Sequence, residues 1–274
     1  MPLTWFSKET IAPGTTIQLN ETSWTIVQKI NEHKLQIDEA GIIPGWVGYN
    51  YPSYSCVLLL VHLKHDRRVT SSAFMRIYLQ VPNEGTEVEP SRTRAQQACE
   101  FIPPELKALR QFTRAQSAYT PRLLDYRVGK QDESGLVPHG FMVWMVWEKV
   151  PGNQLGDAIG NSVFWQLESE ERRQIRVAFE AGYKYTIPRV RNFADKIYRD
   201  LLRNGFEPSF GSPKNLAWDA ERRPLYFVGF HDCDTTEGEE WTPAEFAVYS
   251  LAIPPKSSRW YESEWEEDFS TWEY

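Results

Sequence analysis

The sequence predicts an α+β chain in two lobes, and three observations predict it. Residues 1–149 hold several apolar runs of strand length and one amphipathic helical stretch. A Val150-Pro151-Gly152 break follows. Residues 150–274 then turn to helical spacing, interrupted by a short hairpin pattern. Strands first and helices after is the α+β order, here with a small β-rich N-terminal lobe and a reduced, mostly helical C-terminal lobe sharing a cleft.

Trp24 to Ile30 alternates apolar and polar residues, as a half-buried strand does. Ser55 to Leu63 (SCVLLLVHL) is a continuous apolar run and reads as a buried strand. Ala73 to Val81 (AFMRIYLQV) alternates again, and His65 to Arg68 reads as the turn before it. Pro82 to Arg94 has the Pro, Asn and Gly content of a loop. Pro104 suits a first helical turn, and Leu106, Leu109 and Phe112 recur at helical spacing across Glu105 to Ala118. Leu123 to Val128 and Phe141 to Glu148 (FMVWMVWE) complete the strands of the first lobe.

Beyond the break, Glu168 to Tyr185 and Asn192 to Arg203 read as helices, the latter with Phe193, Ile197 and Leu201 on one stripe. Gly205 to Pro213 reads as a loop, and Leu216 to Trp218 and Leu225 to Phe230 as a hairpin turning at Asp219 to Pro224. Trp241 to Leu251 is the last predicted helix.

Composition excludes several classes. A chain of 274 residues with 41% hydrophobic and 24% charged content can build a packed core. A net charge of −7 is no footprint for nucleic acid. The 3 cysteines and 5 histidines form no CxxC or HExxH spacing, which argues against a disulfide framework and a structural zinc site. No apolar run approaches the roughly 20 residues that span a bilayer, and no secretory pattern opens the chain, so a cytoplasmic protein is expected. Acidic residues gather late, from Glu237 to Asp268, and read as a solvated tail. Trp260, Trp265, Phe269 and Trp272 in the same stretch ask instead for burial.

The order of elements, with particular residues in it, resembles the protein-kinase-like fold, closest to the fungal kinase-like and aminoglycoside-phosphotransferase-like group. The resemblance rests on Ala73-Phe74-Met75-Arg76-Ile77, Glu105-Leu106-Lys107-Ala108-Leu109, Trp147-Glu148-Lys149-Val150-Pro151-Gly152, Asn215-Leu216-Ala217-Trp218-Asp219 and Leu225-Tyr226-Phe227-Val228-Gly229-Phe230. It implies a strand Lys paired with a helix Glu, a loop Asp that orients the acceptor, and an Asn and a second Asp that hold metal ions. Here Arg76 stands at the Lys position and can pair with Glu105. Asn215 is kept, but Phe210 stands five residues before it where the Asp would be. Gly229 precedes Phe230 where the metal Asp would be, and glycine offers no carboxylate. His231 follows, a candidate acid, base or donor, with Asp232 the replacement carboxylate if the register is shifted. Being adjacent, His231 and Asp232 are not expected to face one another.

The resemblance therefore implies a degenerate, pseudokinase-type member without a cofactor or a metal. The favoured reading is a cleft repurposed for an apolar small-molecule metabolite. Arg76, Asn215 and His231 would be its catalytic donors, and Glu105, Trp144, Trp147, Glu148, Phe210, Phe230 and Asp232 would bind the substrate. Such a cleft is compatible with a cofactor-free cyclisation, for instance an intramolecular Diels–Alder reaction in fungal natural-product biosynthesis, driven by positioning and aimed donors. One alternative is a non-catalytic scaffold or regulator with a protein partner. Another is an atypical ATP-dependent phosphotransferase.

Overall fold

The structure, a computed structural model, describes residues 4–20, 22–38, 51–64, 72–157, 162–186, 205–208, 211–236, 241–262 and 268–274. The fold is α+β. The chain divides into two compact units, one of residues 1–106 with 123–149, the other of residues 107–122 with 150–274.

The first unit is a six-stranded antiparallel sheet of β1 (Thr16–Leu19), β2 (Thr22–Leu35), β3 (Tyr54–Leu63), β4 (Ser72–Gln80), β5 (Leu123–Lys130) and β6 (Phe141–Glu148), in the order β1-β2-β3-β4-β6-β5. Its strands lie where the apolar runs predict them, with β1 an additional edge strand. The sheet curls until its edges meet. The Asn20 amide donates to Asp125 Oδ1 and to the Tyr126 carbonyl at 3.1 and 2.9 Å, and Arg127 donates to the Gln18 carbonyl at 3.2 Å. Side-chain period 2 sends Val57, Leu59 and Val61 of β3, Met75 and Ile77 of β4, and Trp144 and Val146 of β6 into one apolar interior with Leu19, Trp24 and Ile26. The opposite face carries Arg76 and Tyr78 of β4 and Trp147 of β6.

Between β4 and β5 lie α1 (Ser91–Ala95) and α2 (Pro104–Arg114). The first is a correction, because Pro82–Arg94 reads as a loop throughout. Pro90 fixes the dihedral that starts a short turn, and its carbonyl accepts from Thr93 and Arg94. Helix α2 stops short of the expected Ala118. Gln116 adopts φ 53°, Ser117 N–H donates to the Phe112 carbonyl and Gln116 N–H to that of Thr113, which is a Schellman ending built without glycine.

The second unit holds α3 (Ser169–Thr186), a three-stranded sheet β10-β9-β7 and a two-stranded ladder. The strands are β7 (Asn153–Gln154), β8 (Gly205–Pro208), β9 (Leu216–Trp218), β10 (Leu225–Phe227) and β11 (Cys233–Thr236), with α4 (Ala244–Val248) after them. The β9–β10 hairpin forms about the predicted turn, with β10 ending at Phe227 rather than Phe230. The expected loop at Gly205 is instead strand β8, paired antiparallel with β11. Ile175, Phe179 and Tyr183 of α3 pack on Phe112, Phe206, Leu216, Phe227, Tyr249 and Leu251 as one core. Trp272 is buried in that core, Trp260 and Phe269 pack against it, and Ile253 and Glu273 exchange two backbone bonds of 3.0 Å. The described part of the C-terminal segment is thus part of the core rather than a free tail. The predicted helix Asn192–Arg203 and the turn at His65–Arg68 lie outside the described residues. No described helix is long and apolar enough to cross a membrane.

Candidate functional site

In the first unit the sequence places a cation on β4 and an acid at the start of α2. Glu105 sits in the first helical turn, where the helix dipole favours an anion. Arg76 Nη1 donates to Glu105 Oε2 at 2.6 Å, and the Tyr78 hydroxyl donates to the same oxygen at 3.1 Å. All three side chains are buried, with Arg76 only 8% and Glu105 only 3% exposed. Burial pulls the Arg76 pKa down, but the Glu105 carboxylate, Tyr78 and Cys56 hold it above its ordinary value. Burial, then Glu105, pushes the Tyr78 phenol well above its ordinary value, so it stays protonated and remains a donor. The Trp147 ring lies 5.5 Å from the guanidinium, and Arg76 Nε is buried without a hydrogen-bond partner among the described residues.

Two expected ring positions separate here. Trp144 and Trp147 are three residues apart on one strand, so they project from opposite faces. Trp147 stands beside Arg76, whereas Trp144 is inside the curled sheet with the Arg127 guanidinium 3.9 Å from its ring. They cannot line one surface. Glu148 is half-buried and pairs in register with Ala73, on the Trp144 side.

In the second unit Asn215 closes a 3₁₀ turn, Pro213–Asn215, that Ser212 caps by accepting from Lys214 N–H. Its N–H donates to the Ser212 carbonyl at 2.9 Å, and its own carbonyl accepts from Val228 at 2.8 Å. Asn215 is thereby fixed against the segment that follows β10, and a methyl group built on Gly229 would overlap the Asn215 side-chain amide. Phe230 is 1% exposed in the core, its ring 5.0 Å from that of Phe112, so it is a packing residue and not a surface ring. His231 and Asp232 do face each other, contrary to expectation. They lie in a turn, where the backbone does not alternate, and His231 Nε2 is 3.8 Å from Asp232 Oδ1, beyond hydrogen-bond range. Asp232 is exposed. Phe210 lies outside the described residues.

Sequence reasoning missed Tyr78 as the third member of the Arg76–Glu105 group. The signal was there, since Tyr78 is two residues from Arg76 on a strand and must share its face.

A magnesium–nucleotide complex does not fit the second-unit residues. Gly229 supplies no side-chain oxygen, the Asn215 side chain fills the space that a Cβ at position 229 would need, and no cluster of three His, Cys, Asp or Glu side chains converges among the described residues.

No protein-family model and no curated protein matches the chain. Solved structures do. The kinase PK-1 of Cydia pomonella Granulovirus aligns at 12% identity over 77% of this chain and 52% of its own, with a TM-score of 0.40. WaaP in complex with acyl carrier protein aligns at 15% over 71% and 66%, with a TM-score of 0.39. The BubR1 kinase domain aligns at 7% over 81% and 51%, with a TM-score of 0.35. The chain spans between half and two thirds of the length of these structures.

Proposed function

We propose that this chain is a kinase-like protein that does not transfer phosphoryl groups, and that its retained role is binding, as a scaffold or regulator. The observation that carries the reading is the closure of Gly229 on the Asn215 amide. Metal-assisted phosphoryl transfer needs a carboxylate at that step, and here packing has taken its place. The buried Arg76–Glu105 pair is the strand-cation and helix-acid pairing that the resemblance implies, so it fits either reading and the second-unit position separates them.

The test is thermal unfolding with Mg-ATP and Mg-ADP. A ligand of the folded state adds about 2.7 kcal/mol of stability at a hundredfold excess over Kd. No magnesium-dependent rise in Tm is expected. A magnesium-dependent rise, with phosphate transferred to any acceptor, would return the chain to the phosphotransferases, with Asp232 as its metal ligand.

A second reading has its own observation. Arg76 Nε is a buried donor without a partner among the described residues, next to the Trp147 ring. A polarising donor beside an apolar wall suits metal-free cyclisation of an apolar metabolite. That reading requires turnover without metal or nucleotide. Arg76→Lys, which keeps the charge and has no Nε–H, should abolish it in protein that still unfolds cooperatively.

A further inference from the structure

The second unit contains two arginines that the preceding reading does not use. Arg172 and Arg176 lie one turn apart on α3, so both side chains lie on one side of the helix. Arg176 is 9% exposed. Its Nη1 donates to the Leu251 carbonyl at 3.2 Å, and its guanidinium lies 5.6 Å from the Phe164 ring and 5.4 Å from the Tyr274 ring. The Arg172 guanidinium lies 4.8 Å from the Trp165 ring, which is held by a 2.9 Å bond from its Nε1 to the Ser250 carbonyl. Arg172 Nε and Nη1 are both buried without a hydrogen-bond partner among the described residues.

Two neighbouring acids are committed elsewhere. Glu170 is held by Arg173 and Gln174, and Glu171 accepts from Trp218 Nε1. Among the described residues neither Arg172 nor Arg176 has a carboxylate partner. Three costs add up. Two like charges share one helix face, Arg172 stands in the first turn where the helix dipole repels a cation, and both groups are partly desolvated. Burial, then Arg172, draws the Arg176 pKa below its ordinary value.

We propose that Arg172 and Arg176, walled by Phe164, Trp165 and Tyr274, form a binding site for a phosphomonoester dianion. The charge arithmetic selects phosphate. Two guanidiniums call for nearly two negative charges, which a phosphomonoester carries near neutral pH and a carboxylate does not. Planar forks give phosphate oxygens paired donors. The rings favour a phosphate carried on an aryl group.

The experiment is titration calorimetry and scanning calorimetry of the full chain with phenyl phosphate and inorganic phosphate at constant ionic strength, with phenol as control. Phenyl phosphate should bind saturably and raise Tm by several degrees at about a hundredfold excess over Kd. Phenol should do neither. Arg172→Gln should weaken binding about tenfold or more, yet melt no lower than the parent in chloride, since it relieves like-charge repulsion. Arg176→Lys, which keeps the charge and loses the fork, should fall between. Equal affinity for inorganic phosphate supports the site and makes the free anion its ligand, while tighter phenyl phosphate makes it an aryl phosphate site. Absence of saturable binding, unchanged binding in Arg172→Gln, or an Arg172→Gln variant that melts lower in chloride would each overturn the proposal.

Discussion

The two units handle the chemistry of a charged site in opposite ways. In the first, a cation on β4 and an acid on α2 remain as a buried pair, held by a tyrosine hydroxyl and covered by a tryptophan ring. In the second, glycine stands where the resemblance implies an acid, and an asparagine has closed over it. The difference follows from what each position would lose. Deleting one partner of the Arg76–Glu105 pair strands a desolvated charge, so the pair can only be kept or removed together. At Gly229 no charge is at stake, and the space beside its Cα is taken by the Asn215 side chain. The first unit is therefore locked by electrostatics and the second by packing.

The largest expected effect tests the first half of that contrast. Glu105→Ala leaves the guanidinium buried without its carboxylate and should cost about 3–5 kcal/mol in urea unfolding. Replacing the pair together, Arg76→Met with Glu105→Leu, should restore most of the loss, because no buried charge remains. A double variant as unstable as the single one would show that something other than the charge pair holds this part of the unit.

The next effect tests the second half. Gly229→Ala forces a methyl group onto the Asn215 amide and should cost about 1–3 kcal/mol, the usual range for overpacking. Asn215→Ala should recover part of it, since contacting residues couple. Additive losses in the cycle would mean that the close approach of Gly229 to Asn215 is not the constraint. Gly229→Asp should be at least as damaging as Gly229→Ala and should gain no magnesium-dependent stabilisation.

Long apolar elements were legible in the sequence and short paired ones were not. The runs at Ser55–Leu63, Ala73–Val81 and Phe141–Glu148 became β3, β4 and β6 within a residue at each end, because their burial is written in the residues themselves. Strands β8 and β11 have four residues each and pair across a long stretch of chain, and Gly205 and Pro208 bound β8 as they would bound a loop. Nothing local marks them. In the site, the Arg76–Glu105 contact was readable because one resemblance set both ends, and the structure forms it. The division of Trp144 from Trp147 was also readable, by counting along the strand. The burial of Phe230 was not, since an aromatic after a short strand serves a core or a surface equally well. The rings of Trp260, Phe269 and Trp272 outweighed the acids around them, since burying large rings contributes more than solvating the intervening charges requires.

The smallest effect sharpens the contrast by taking the same two charge types to the surface. Glu170 accepts from Arg173 Nε and Nη2 at 2.8 and 2.7 Å and from Gln174 at 2.9 Å, yet both members of the ion pair are more than half exposed. The Arg173 hydrogen bonds, then that of Gln174, hold the Glu170 pKa down at about 2. A depressed native pKa stabilises the fold above the ordinary carboxylate range, and that contribution fades as pH falls through the range toward about 2. Exposed pairs are solvated and screened, so Arg173→Gln should raise the Glu170 pKa in an NMR titration while barely moving Tm. Added salt should raise the Glu170 pKa in the parent too. The same salt should leave the cost of Glu105→Ala unchanged, because counterions do not reach a pair inside the protein. If salt erased that cost as well, Arg76 and Glu105 would be a surface pair in solution, and the contrast between an electrostatic lock and a packed one would fail at its first member.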